Sequence, residues 1–163
     1  MATKQFMHVC IAVPDLEKAV DFYTNVLGMK TDFITDNDKA DGILLGLGQE
    51  EIHLRATYVL PQSADPATAT VINLVEYLDP QLNMVKQPNA NDLGLTRLAF
   101  MVDNIDDVMQ KVEAYPGAEI VSGRRDLVIK DENKGVTYVS KWCGIRDLNG
   151  VLIMLYEPDA AQN

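Results

Sequence analysis

The sequence predicts an α+β fold made of two repeated β-α-β-β-β modules that form a curved mixed sheet around a shared cavity. Three observations support this. An apolar run at 7–13 leads directly into a helical pattern that ends at Gly28. The same order of strand and helix begins again at residue 95. A strong turn signal at 147–150 precedes a closing apolar run at 151–156.

The first module is predicted over residues 5–78. Pro14 and Asp15 bound its opening strand, and Asp15 is of the type that caps helices. Apolar residues then recur at helical spacing until Gly28, which favours a helix end. A loop is predicted at 60–69. Three further strands are predicted, at 43–47, 52–59 and 70–77.

A linker at 79–94, with two prolines and three asparagines, precedes the second module at 95–157. Its strand at 95–102 is followed by a helix that Asn104 can cap and that Pro116-Gly117 ends. The charged segment 123–135 is predicted to be a loop or a lid. The remaining strands are predicted near 118–121, at 136–143 and at 151–156.

The two modules align as an internal repeat within one domain, 1–163. At the start of the modules, His8 aligns with Arg97 and the helix cap Asp15 aligns with Asn104. At their ends, Asn73 aligns with Met154. Each module alone would leave a sheet face bare, so pairing the two is expected to enclose one cavity.

The chain carries a formal net charge of −10, which argues against nucleic acid and anionic membranes as partners. No run approaches the roughly 18 apolar residues of a membrane span, and the first residues do not read as a signal peptide. Cys10 and Cys143 are expected to be buried, reduced thiols. We therefore expect a cytoplasmic protein.

The opening stretch HVCIAVPDLEKAVDFYTNVLGM and the closing stretch DLNGVLIMLYEP resemble those of the vicinal oxygen chelate superfamily. That superfamily includes glyoxalase I, the extradiol dioxygenases, methylmalonyl-CoA epimerase, and the bleomycin and fosfomycin resistance proteins. The resemblance implies the fold and a homodimer. It does not imply one reaction, because this fold supports many chemistries.

In metal-dependent members, the resemblance implies ligands at four positions, which fall here on His8, Asn73, Arg97 and Met154. Arginine has no lone pair to offer a metal, and methionine prefers soft metals. Catalytic sites usually need three protein ligands. We therefore expect no cofactor. A divalent metal is the alternative, with His8 as first ligand and Glu76 as a replacement if the strand register shifts.

Strand alternation predicts a mostly apolar cavity in which His8, Asn73 and Arg97 converge. Two pairs leave alternatives open. His53 and Arg55 could extend the site or be solvated, and Tyr138 and Trp142 could stack on a ligand or belong to the core or a dimer contact. The other predicted lining residues are Cys10, Tyr77, Met101, Met154 and Tyr156.

The pattern favours a metal-independent lyase, isomerase or cyclase acting on a mostly apolar small molecule with an anionic or carbonyl oxygen. His8 would move a proton, Arg97 would hold a carboxylate or developing oxyanion, and Asn73 would orient the substrate. Alternatively, His8 is a histidine held by a hydrogen bond and Arg97 forms an internal salt bridge. A non-catalytic small-molecule binding or resistance protein and a metal-dependent lyase or dioxygenase are the other functions considered.

Overall fold

The computed structural model describes the backbone of residues 5–131 and 136–158, and their side chains except those of 32, 129–131 and 136–138. The chain divides into two compact units, Met1–Met84 and Val85–Asn163, and the division falls within the segment predicted as a linker. Strands dominate both units, with few helices, so the predicted α+β class is confirmed.

Unit 1 follows the predicted β-α-β-β-β order. Its helix begins after Asp15, whose carboxylate accepts a hydrogen bond from the Lys18 backbone N–H at 3.0 Å. The helix ends before Gly28, which adopts a φ of 67° that other residues rarely tolerate. The elements are β1 (His8–Ala12), α1 (Leu16–Asp21) continued by a π-helical turn (Phe22–Val26), β2 (Met29–Asp41), β3 (Glu51–Pro61) and β4 (Val71–Asp79).

Unit 2 repeats this order. The side chain of Asn104 accepts hydrogen bonds from the backbone N–H groups of Asp106 and Asp107 and so caps the helix. Asp147 organises the predicted closing turn, because its carboxylate accepts from the N–H groups of Asn149 and Val151. The elements are β5 (Leu98–Met101), α2 (Ile105–Ala114), β6 (Glu119–Asp131), β7 (Val136–Arg146) and β8 (Leu152–Glu157).

Each unit forms its own four-stranded sheet, with the orders β1-β4-β3-β2 and β5-β8-β7-β6. The first and last strands of each unit pair in parallel, and the other pairs are antiparallel. The register repeats as well: Cys10 pairs with Asn73 in unit 1, and Ala99 pairs with Met154 in unit 2. The predicted internal repeat is therefore present in the backbone.

One face of each sheet is covered by the unit's helix, and we call the other the open face. On β1 the side chains alternate: Ile11 is buried towards the helix, whereas Cys10 and Ala12 are exposed on the open face. On β8, Ile153 and Leu155 are fully buried, whereas Met154 between them is half-buried. The side-chain directions predicted from alternation are thus observed on the first and last strands.

Two predicted segments are wrong. Residues 43–47 form an exposed turn rather than a strand, with Leu44 81% exposed, and the strand before it is β2, which the prediction omitted. β2 lies at the sheet edge and is largely exposed, so it carries charged residues instead of an apolar run. In the second module, β6 occupies most of the segment 123–135 that was predicted as a loop or lid; residues 132–135 lie outside the described part.

Glu157, at the end of β8, ties that strand to the start of α2. Its carboxylate accepts a hydrogen bond from the Ile105 backbone N–H at 2.9 Å and an ion-paired one from Lys141 at 2.9 Å. These two contacts, the Ile105 bond first, lower the pKa of Glu157, whose side chain is 15% exposed. The carboxylate therefore acts as a second cap of α2.

We expect Glu157→Ala to lower the free energy of unfolding by about 1 kcal/mol at pH 7, and Glu157→Gln to cost less, because its amide oxygen still accepts from Ile105. A group whose folded pKa is lowered stabilises the protein above its unfolded pKa and loses that effect as pH falls through the folded value. The difference between wild type and Glu157→Gln in urea unfolding should therefore shrink as pH drops below about 4.5. Glu50→Gln, in an exposed turn, is the control; a pH-independent difference would contradict the role of the charge.

Candidate functional site

His8 lies on the open face of unit 1, where its imidazole stacks on Tyr58. The ring centroids are 6.0 Å apart with an interplanar angle of 29°. Phe33 meets the same tyrosine edge-on, at 5.2 Å and 70°. Within the described residues, the imidazole nitrogens of His8 form no hydrogen bond, so both remain available to a ligand.

A pocket of about 170 Å³ opens beside this group of rings. Its walls come from β1 and the residues before it, from β2 and β3, and from the start of β4 and the loop before it, so it lies wholly within unit 1. The lining residues are Gln5, Met7, His8, Phe33, Tyr58, Leu60, Pro66, Ala67, Ala69 and Val71.

Asn73 and Cys10 form a second polar group on the same open face. The Asn73 side-chain amide donates to the Cys10 sulfur at 3.5 Å. Its Oδ1 is buried and has no hydrogen-bond partner among the described residues. A buried acceptor without a donor is unfavourable, so this atom is suited to a ligand hydroxyl.

The two cysteines differ, which corrects one prediction. Cys10 is exposed because it lies on the open face, whereas Cys143 is buried as predicted. Burial raises the pKa of the Cys143 thiol to about 11, so that thiol stays protonated at neutral pH.

Glu76 cannot replace Asn73 as a ligand on the open face. β4 keeps a regular register through Asn73 and Glu76, and the irregularity in its pairing lies beyond them, at His53. Glu76 instead faces α1, where it accepts a hydrogen bond from Arg55 at 3.1 Å. The register shift that would have turned Glu76 towards the open face, where it could replace Asn73 as a metal ligand, is therefore absent from β4.

His53 and Arg55 lie on the helix side of β3, away from the residues of the open face. Arg55 bridges Glu17 on α1 and Glu76, and the hydrogen bond to Glu17 is the main cause of its raised pKa. His53 contacts the Asp36 carboxylate at 2.6 Å. Arg55 thus connects the sheet to α1, and His53 connects β3 to β2. Their placement does not support the idea that they extend the site.

Arg97 directly precedes β5 and is exposed. Among the described residues it forms no ion pair, so the internal salt bridge considered from the sequence has no described partner.

The other predicted lining residues are partly accessible. On the open face of unit 2, Met101 is 69% exposed and Met154 is half-buried. Tyr77, on the open face of unit 1, is half-buried opposite Leu54.

Trp142 and Tyr156 form an aromatic pair on the open face of unit 2. Their ring centroids are 5.1 Å apart at 38°, and the indole N–H donates to the Ser140 hydroxyl at 2.8 Å. Both rings are half-buried, so part of each remains accessible. The backbone of Tyr138 belongs to β7, but its side chain lies outside the described residues.

Sequence reasoning missed Tyr58 and Phe33. The pattern on β3 drew attention to His53 and Arg55, which have the opposite parity to Tyr58. The antiparallel register that sets Tyr58 opposite Asn73 could have identified it. That register cannot be read from residue types alone across the loop between β3 and β4, which begins after Pro61 rather than at 60 as predicted.

The residues at the four metal-ligand positions do not fit a divalent metal. Asn73 offers one neutral amide oxygen, which is a weak ligand, Arg97 has only donors, and Met154 offers a thioether. Within residues 5–131 and 136–158, no three His, Cys, Asp or Glu side chains cluster closely enough to hold a metal ion. The metal-free site stays a prediction.

The model of the Glyoxalase/Bleomycin resistance protein/Dioxygenase superfamily matches residues 5–155 of the chain. The chain belongs to this superfamily. Its repeated β-α-β-β-β order and its paired motifs are therefore those of the family that the sequence resembles. No helix of the described residues is long and apolar enough to cross a membrane.

Among curated relatives, a 2-epi-5-epi-valiolone epimerase from an Actinomyces species is 26% identical over 114 residues. This match covers 70% of the chain but 60% of the epimerase, less than two thirds of that relative's length. Among solved structures, a glyoxalase family protein from Bacillus cereus aligns with a TM-score of 0.74 and 23% identity, over 96% of this chain and 95% of that one. TnmS3, an antibiotic binding protein from Streptomyces sp. CB03234, aligns at 0.58 and 19%, over 98% and 99%. The structural likenesses show the shared fold.

Proposed function

We propose that this protein is a metal-independent isomerase that moves a proton at a carbon atom next to a carbonyl group. The observation that carries the proposal is the arrangement around His8: an imidazole with both nitrogens free of described hydrogen bonds, held against Tyr58 at the edge of a pocket. Such a group can remove a proton from a bound substrate and return it.

His8 acts as the general base and then as the general acid. In the first step the substrate C–H bond breaks, the proton passes to an imidazole nitrogen, and the electron pair moves onto the carbonyl oxygen. The enolate so formed takes a proton back either on the opposite face of the same carbon, which inverts it, or, in a hydroxyketone, at the former carbonyl carbon while the neighbouring hydroxyl loses its proton and becomes the new carbonyl. Neither route needs an oxidant or a reductant. Histidine suits both roles because its side chain changes charge near neutral pH.

Arg97 supplies the positive charge that stabilises the enolate oxygen. Support comes from its place at the start of the second module, equivalent to that of His8, and from the absence of an ion-pair partner among the described residues. A guanidinium donates two hydrogen bonds in a fixed geometry and cannot itself lose a proton at working pH. An oxyanion held in this way is stabilised without a metal.

Asn73 orients the substrate. Its buried Oδ1, which has no described donor, accepts a hydrogen bond from a substrate hydroxyl. The amide nitrogen is already fixed by Cys10, so the oxygen has a defined direction. This requirement points to a hydroxyketone rather than a simple ketone.

Among the lyase, isomerase and cyclase reactions that the site could support, the epimerase relative favours an isomerase. That relative shares 26% identity over 114 residues, enough to motivate the reaction type but not the substrate. Proton exchange next to a carbonyl is the chemical step common to such reactions, so it can be measured before the natural substrate is known.

We expect the protein to catalyse deuterium incorporation from D2O into at least one member of a panel of cyclic and open-chain 2-hydroxyketones. Proton NMR would follow the loss of the signal of the hydrogen next to the carbonyl, against buffer and against heat-denatured protein. Compounds that bind but exchange no faster than in buffer would contradict the isomerase.

A small-molecule binding protein is the second candidate. The pocket beside Tyr58 favours it, because this cavity could hold a ligand without any chemistry. The fold likeness to the antibiotic binding protein TnmS3 motivates the same idea. Saturable binding without exchange would select this function over the first.

A further inference from the structure

We propose that the pocket of unit 1 binds an uncharged, single-ring group, and that this ring belongs to the substrate. That the pocket binds a ring is inferred from the pocket alone. That the ring belongs to the substrate rests also on the proposed function. The proposal names the chemical class that the pocket accepts, and it is argued from the lining of the pocket.

The lining excludes a charged occupant. None of the ten residues around the pocket is Asp, Glu, Lys or Arg. A charged group that enters such a cavity loses its hydration without gaining a counter-ion, which is costly. Gln5, His8 and Tyr58 are the polar lining residues, and the Gln5 side-chain amide already donates to the Thr68 carbonyl at 3.1 Å.

The size and the walls favour one ring. The volume is about 170 Å³, and an apolar cavity of about 150 Å³ in another protein holds benzene. Tyr58 and Phe33 meet edge-on at 5.2 Å, and Tyr58 and His8 stack at 6.0 Å, so aromatic surfaces already define one side of the cavity. A flat or cyclic group packs against such surfaces with more contact than a flexible chain.

The orientation of the ring follows from the polar groups of the lining. His8 supplies two imidazole nitrogens without a described hydrogen bond, and these can bond to a ring substituent. A ring carbonyl or hydroxyl would therefore turn towards His8 while its apolar edge lies against Leu60 and Val71. This orientation sets the reacting carbon beside the proposed base.

The test is a titration of the full-length protein with cyclohexanone, followed by ¹H–¹⁵N NMR, with cyclohexanecarboxylate as the charged probe of the same ring. We expect saturable shifts around Tyr58 with a Kd on the order of 1 mM for the ketone, and at least tenfold weaker binding for the carboxylate. Equal binding of the two probes, or no saturable shift at the pocket, would overturn the proposal.

Two variants localise the binding. Ala69→Trp should fill the pocket and abolish binding, and Tyr58→Ala should weaken it about tenfold through loss of the ring contact. Ala114→Trp, at the exposed end of α2, is the matched control and should bind as wild type. Binding unchanged by Ala69→Trp in a folded protein would overturn the assignment.

The same variants separate this inference from the proposed function. If the ring binds at the pocket but no ring ketone exchanges deuterium, the pocket assignment stands and the isomerase fails. If a substrate exchanges deuterium at the wild-type rate in Ala69→Trp, the isomerase stands and the pocket is not its substrate subsite.

Discussion

His8→Ala should lower the rate of deuterium exchange by about 10²- to 10⁴-fold, the range for loss of a general acid–base group. The imidazole has no structural hydrogen bond among the described residues, so its removal should leave folding largely intact. His8→Asn keeps a similar polar shape without the proton-transfer chemistry and should be equally inactive. The measurement is initial-rate exchange by NMR, with circular dichroism and thermal unfolding to verify the fold.

His53→Ala is the matched control, because the chain has two histidines. His53 contacts Asp36 on the helix side of β3, apart from the open face. Its replacement should change stability slightly and exchange hardly at all. Equal activity of wild type and His8→Ala, both folded, would remove His8 from the mechanism.

Arg97→Ala should lower the exchange rate by about 10²- to 10³-fold, as expected for the loss of one group that stabilises a developing oxyanion. The effect should fall on kcat more than on KM, because the enolate charge forms only as the proton leaves. Arg97→Lys keeps the charge but not the paired donors, so it should recover part of the rate.

Arg124→Ala serves as the control for charge alone. Arg124 is exposed and forms an ion pair with Asp106 at 3.3 Å, a contact of the kind that contributes little to stability. It should exchange as wild type. If Arg97→Ala raised KM and left kcat unchanged, Arg97 would hold the substrate in both ground and transition state and would not be the oxyanion group.

Much of the fold could be predicted because its signals are local. Asp15 and Asn104 predict the starts of the two helices, and Asp147 predicts the closing turn. In the structure each of these side chains accepts hydrogen bonds from the backbone that follows it. β2 was missed because an edge strand needs no apolar face, and its residues show no alternation of apolar and polar side chains. Residues 43–47 were misread for the opposite reason, since an apolar run can also form an exposed turn.

The site was predicted less completely, because it depends on pairing between distant segments. Alternation along single strands placed His8 and Cys10 together on the open face, as observed. It could not show that Tyr58 stands opposite Asn73, since that pairing is fixed by the register between β3 and β4. β2 also contains two register irregularities, near Phe33 and Asp38. Counting alternate residues along this strand therefore does not show which face a side chain occupies.

The proposed chemistry requires no metal. This proposal rests on the residues at the four ligand positions, of which His8 is the one strong candidate. The proposed roles of His8 and Arg97 both follow from it, because an imidazole bound to a metal could not act as the base and a guanidinium cannot bind a metal.

The most direct test is the exchange assay on protein treated with a chelator and then analysed for metals by mass spectrometry. We expect full activity with far less than one metal ion per chain, and no gain when Zn²⁺, Ni²⁺, Mn²⁺ or Mg²⁺ is added. Activity that disappears with the chelator and returns with one of these ions would contradict the metal-independent mechanism.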